Sequence, residues 1–186
     1  TSLAAPSLTW GCDESKHETK TEAKAEIKEA KNARPPARPF RDDLSTYNET
    51  LWHKNGPWAN DGIFRSAWRP ENVLFKDDIM TLRLDDTKSS GREYTGAEIG
   101  SHAHYGYGRY EVRMKPAKNP GVISSFFTYT GPPHGGNPHH EIDIEFVGND
   151  TTILDMTYYT DGKGYDPGKV KLGFDAAEEW HVYGFE

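Results

Sequence analysis

The chain has 186 residues, a formal charge of −7 and one cysteine, Cys12. That length suffices for one domain with a proper core, the acidic balance argues against a nucleic-acid or anionic-membrane partner, and one cysteine rules out an intrachain disulfide. The 12% aromatic content, 18 Gly and 12 Pro suit a turn-rich β protein with flat ring surfaces, compatible with a neutral polymer as partner; no apolar run is long enough to span a membrane.

Residues 1–12, TSLAAPSLTWGC, are uncharged and mildly apolar. The chain begins at Thr1 rather than Met, which leaves room for a targeting segment upstream. Gly11-Cys12 admits a lipid-acceptor cysteine, and an ordinary N-terminus with a free thiol is the alternative. Residues 13–38 turn rich in Lys, Glu and Ala and end in ARPPARP. Lys16, Lys20, Lys24 and Lys28 recur every four residues, and so do Glu18, Glu22 and Glu26. On a helix that stacks like on like, which is destabilising. Residues 1–38 are therefore read as a flexible charged segment and 39–186 as the folded domain.

From residue 39 no long helical period appears, and short β-like runs are separated by turn signals. Runs 72–75 and 79–84, split by Lys76-Asp77-Asp78, predict a hairpin. Runs 98–104 and 107–115, split near Gly106, predict another. Residues 122–130 are almost continuously apolar, predicting a strand buried on both faces. A Gly- and Pro-rich loop, 131–138, precedes an acidic strand. Further strands are expected at 151–159, 170–174 and 180–185. This spacing predicts an all-β sandwich.

The acidic strand, His140-Glu141-Ile142-Asp143-Ile144-Glu145-Phe146-Val147, alternates strictly between acid and apolar residues. A β-strand turns successive side chains to opposite faces. Glu141, Asp143 and Glu145 therefore share one face, and Ile142, Ile144 and Phe146 share the other. Three like charges on one strand face repel, so such a face is costly unless the carboxylates are used. At a rise of roughly 3.3 Å per residue, the Cα atoms of Glu141 and Glu145 lie about 13 Å apart. Two Glu leaning together leave a gap of roughly 5 Å, the separation of a retaining glycosidase. The alternative is a solvated acidic face on an edge strand.

YGRYEVRMK at 107–115, GVISSFFTYTGP at 121–132, NPHHEIDIEFVGNDTT at 137–152 and LGFDAAEEWHVYGFE at 172–186 carry a resemblance. They resemble bacterial 1,3-1,4-β-glucanases of glycoside hydrolase family 16, from about residue 48 onward. The resemblance implies a β-jelly-roll of two curved antiparallel sheets, with substrate across the concave one. It implies Glu141 as nucleophile, Glu145 as general acid and base, and Asp143 as the residue tuning them. It also implies sugar contacts at Trp58, Asn60, Glu98, Phe127, Tyr129, His139 and Tyr159. For Phe127 a plain core position is the alternative. The implied partner is a β-glucan polysaccharide, the implied site of action extracellular, and no catalytic cofactor is needed. A structural calcium belongs to the family pattern, with one ligand expected beyond Glu186.

Several positions depart from that pattern. His139-His140 stands where the family usually has Trp-Asp. Gly100 stands for an arginine, and Thr157 for an asparagine. The family continues past Glu186 with more strands, so the resemblance implies a longer protein, a second chain completing the fold, or a degenerate one. Two other functions remain open, an exopolysaccharide (succinoglycan-type) depolymerase and a non-catalytic glycan-binding fragment. A metal site built from His134, His139, His140, Glu141 and Asp143 is a third reading. It is opposed by the strand geometry, which turns adjacent His139 and His140 to opposite faces.

Overall fold

The computed structural model describes residues 38–132 and 138–186. The N-terminal segment with Cys12, and His134 in the loop before the acidic strand, lie outside the described residues. The described chain is all β apart from one short 3₁₀ turn, Pro70–Asn72. Among these residues no helix is long and apolar enough to cross a membrane. Two compact units divide between Gly106 and Tyr107.

Among the described residues the first unit holds six short strands. β1 (Trp52–Lys54) pairs antiparallel with β6 (Ile99–Ser101), and β2 (Ser66–Trp68) runs parallel to β5 (Tyr94–Gly96). β3 (Val73–Lys76) and β4 (Ile79–Leu82) form the hairpin expected from sequence. Its two turn residues, Asp77 and Asp78, have φ of 52° and 59°. Two positive φ values mark a type I′ turn, whose twist matches that of the flanking strands. Ala67 and Val73 are buried, and so is the polar Asn72. Asn72 is satisfied there: its Nδ2 donates to the Thr95 carbonyl and hydroxyl at 3.1 and 3.0 Å, and its Oδ1 accepts from Arg83. An orphaned amide at that depth would cost about 1–3 kcal/mol.

The second unit contains a four-stranded antiparallel sheet in the order β11-β10-β9-β8. β8 is Ile123–Thr130, β9 His140–Val147, β10 Ile153–Thr160 and β11 Lys163–Lys171. A separate pair joins β7 (Tyr110–Met114) to β12 (His181–Phe185). Ile144, Phe146 and Leu154 from one face of the sheet cluster with Ala176 and Tyr183, flanked by Phe126 and Met156. Phe146 is fully buried and meets Tyr183 edge-on at 4.9 Å between ring centres. Asp175 accepts hydrogen bonds from Lys118, the Thr151 hydroxyl and the Ala177 amide. The Lys118 ammonium leads in holding its carboxyl well below the usual range.

Three expectations are corrected. Residues 98–104 and 107–115 do not pair: β6 takes β1 as partner and β7 takes β12. The chain does bend here, at Tyr107 and Gly108, but beside the division between units and not within a hairpin. β8 is not buried on both faces; Ile123 and Phe127 are exposed, while Phe126 packs against the core cluster. Apolar residues of both parities hid this ordinary alternation. β11 begins seven residues before the expected 170, as Lys163 pairs with Thr160. Gly164, Pro167 and Gly168 disguised it, since such residues signal turns; they are tolerated because β11 is an edge strand with an irregular register.

Candidate active site

The register of β9 with its neighbours builds the site. Opposite Glu141, Asp143 and Glu145 on β8 stand Tyr129, Phe127 and Ser125. On β10 the residues opposite are Tyr159, Thr157 and Asp155. Residues directly opposite across a ladder share a face and lie about 4.5–5.5 Å apart at Cβ. One face of three strands thus carries a central column of carboxylates, with rings at the Glu141 end and an extra acid at the Glu145 end. Both ladders are in continuous register through β9, so no bulge interrupts the spacing of the acids. Phe127, 37% exposed and opposite Asp143, belongs to this face and not to the core.

His139 caps the column. Its Nε2 lies 2.7 Å from Glu141 Oε2. The ring stacks on Tyr159 at 4.7 Å and tilts against Tyr129 at 5.2 Å. The Tyr129 hydroxyl in turn donates to the Pro132 carbonyl at 2.7 Å. His140 turns away, its Nε2 3.6 Å from Asp161 Oδ1. The two histidines do not converge, as the strand geometry requires. Among the described residues no group of three or more His, Cys, Asp or Glu is arranged to hold a metal ion.

Burial and charge set the protonation states. Burial, then the charges of Glu141 and Glu145, and then a hydrogen bond with Glu141 push the Asp143 carboxyl up to about 7. Glu145 is also raised, by burial first, then by Asp155 and Glu141, with Lys169 opposing. For Glu145 burial is the larger cause, ahead of the neighbouring charges, because a half-buried carboxylate loses hydration. Asp155 and Lys169 were missed. The face of Asp155 follows by parity, since counting back by twos from Tyr159 reaches Thr157 and then Asp155, but its neighbours Glu145 and Lys169 across the ladders do not.

The three remaining expected contacts lie in the first unit. Trp58 is 41% exposed, bridges to Trp68 through a 2.7 Å backbone bond and meets its ring edge-on. Asn60 offers its carbonyl to Arg92 at 2.6 Å. Glu98 accepts from the Asn55 amide side chain, and its carbonyl accepts from the Asn55 backbone N–H. Gly100 sits against His53, and a Cβ there would meet the imidazole at 2.9 Å. The space at this departure from the family pattern is thus taken by a histidine ring.

An all-β chain with paired glutamates and a third acid on one sheet face, bordered by aromatic rings, defines the class of a carbohydrate-active β protein. The model for "Glycosyl hydrolases family 16" matches residues 60–186, and the chain belongs to that family. A β-glucanase of Paenibacillus macerans is 48% identical over 147 residues, covering 79% of this chain and 61% of that protein. The crystal structure of a prokaryotic β-1,3-1,4-glucanase (lichenase) from a mouse hindgut metagenome superposes with a TM-score of 0.73. It is 49% identical and covers 76% of this chain and 66% of that one. A Bacillus licheniformis β-glucanase structure gives a TM-score of 0.72 at 45% identity, covering 77% and 66%. The fold class is therefore the all-β jelly roll that the resemblance implied. The chain spans 61% of the Paenibacillus macerans protein and 44% of an Acetivibrio thermocellus β-glucanase.

Proposed function

We propose that the chain carries the catalytic residues of a retaining endo-β-glucanase that hydrolyses mixed-linkage 1,3-1,4-β-glucan by double displacement. The observation that carries this reading is the column Glu141, Asp143 and Glu145, flanked in register by Phe127, Tyr129 and Tyr159. The names of the β-glucanase and lichenase relatives support the substrate. Glu141 attacks the anomeric carbon and forms a glycosyl ester while Glu145 protonates the departing oxygen. Glu145 then takes a proton from water, which displaces Glu141 and restores the configuration. Burial raises the Glu145 carboxyl, the direction that a proton donor needs. Asp143, with its carboxyl pushed up to about 7, donates that proton as a hydrogen bond to Glu141 and keeps the nucleophile an acceptor.

Aromatic faces suit the apolar face of a pyranose, and Trp58, Asn60, Glu98 and His139 supply further sugar contacts in this reading. No step needs a cofactor, and the structural calcium of the family pattern would have no part in the chemistry. A polymer too large to enter a cell implies action outside it. The partner in this reading is the glucan.

His139-His140, Gly100 and Thr157 favour a second reading, an exopolysaccharide depolymerase using the same carboxylates. Proton NMR of digests of lichenan and of a succinoglycan-type polymer separates these readings. Lichenan should yield the β anomer first. An initial α product overturns retention, cleavage of the exopolysaccharide alone selects the second reading, and no cleavage of either leaves a glycan-binding module.

A further inference from the structure

We propose that Asp155 and Lys169 act together as an electrostatic positioning dyad on Glu145, the proton donor of the function proposed above. Three adjacent strands place these residues in one row. Glu145 pairs with Asp155 across β9 and β10, and Asp155 pairs with Lys169 across β10 and β11. The row ends on β8 at the uncharged Ser125. Lys169 Nζ donates to Asp155 Oδ2, and the Asp155 side chain is only 22% exposed. Like charges directly opposite on a ladder repel, so Asp155 would be a costly neighbour for Glu145 by itself. Lys169 offsets that cost from the far side of Asp155.

The charges facing Glu145 can be named strand by strand. β8 contributes none, as Ser125 stands opposite. β9 contributes Asp143 and Glu141, β10 contributes Asp155, and β11 contributes Lys169, with Asp166 close enough to act on Lys169. Asp155 favours the protonated form of Glu145 and Lys169 the ionised form. The two halves of one ion pair thus pull the same proton in opposite directions. An ion pair that merely fastened β11 to β10 would not behave so, because breaking it from either side would have the same effect.

This difference supplies the test. Glutamate carboxyl carbons are labelled with ¹³C, and the Glu145 resonance is assigned by its disappearance in Glu145→Gln. Its titration midpoint is then followed in the full chain without substrate. In Asp155→Asn the midpoint should fall by roughly half a pH unit or more; in Lys169→Met it should rise by a smaller amount. Lys169→Arg keeps the charge and should leave it in place. Movement of both variants in one direction, or of neither, overturns the proposal. If Asp155→Asn does not fold, Lys169→Met decides alone: a rise supports the dyad, and no change or a fall overturns it. Because the titration needs no glucan, a protein that cleaves nothing would remove the proposed function and leave this test standing.

Discussion

Replacing Asp143 with Asn should make the protein more stable at neutral pH and a poorer catalyst. The folded chain holds the Asp143 proton to about 7, against an ordinary value of 3.8. Between those values folding takes up a proton, so stability falls as pH rises through the window and levels off above it. At ~1.36 kcal/mol per pH unit the ceiling is about 4 kcal/mol. Asp143 is only half-buried, so solvent screening brings the expected cost to roughly 1–2 kcal/mol. Asp143→Asn removes the titrating group and keeps the shape. Its advantage over the parent should be near zero below pH 4 and reach that full amount by pH 8. For a chain of this size, thermal unfolding should show a melting temperature raised by roughly 3–6 °C at pH 8. Hydrolysis of lichenan should fall, but less than in Glu141→Ala or Glu145→Ala. The reasoning fails if the stability gap is the same at pH 4 and pH 8, or narrows as pH rises.

Glu141→Ala with added azide should yield an α-glycosyl azide; Glu145→Ala, given a dinitrophenyl glycoside, should yield the β-azide, and product NMR showing the reverse would exchange the two roles. Phe146→Ala opens a cavity beside Tyr183 and should cost about 3–5 kcal/mol by urea unfolding; a loss under 1 kcal/mol would show that the described packing is not what holds the sheet. Replacing Asp77-Asp78 with Asn-Gly should relieve two positive φ values and raise the urea midpoint by roughly 1 kcal/mol of stability; a lower midpoint would contradict the I′ turn.

The acidic strand was legible because its period is unambiguous: acids on one parity and Ile142, Ile144 and Phe146 on the other. Its register was not, since nothing in a single strand says which neighbour lies opposite. The rings at Phe127, Tyr129 and Tyr159 came from family resemblance, and their alignment with the acids came only with the ladders. Phe127 was ambiguous because its run is apolar on both parities. The false hairpin at Gly106 arose because a turn residue marks where a chain bends, without saying whether the flanking strands then meet. Lys163–Lys171 was largely invisible because an edge strand tolerates the Gly and Pro that signal a turn. Asp155 escaped notice because it acts through a cross-strand neighbour ten residues away, beyond the reach of a local motif.

The division of the sheet into two faces has a consequence for divergence. Ser125, Phe127, Tyr129, Asp155, Thr157 and Tyr159 border the acids, and none belongs to the cluster of Ile144, Phe146, Leu154, Ala176 and Tyr183. Each bordering residue alternates along its strand with one facing the other way. On the proposed function, substitutions among the six therefore alter what is bound without forcing the core to repack. Thr157, where the resemblance implies an asparagine, is one of the six. On that reading specificity and foldability answer to opposite faces of one sheet, and the three carboxylates of β9 stand on the first.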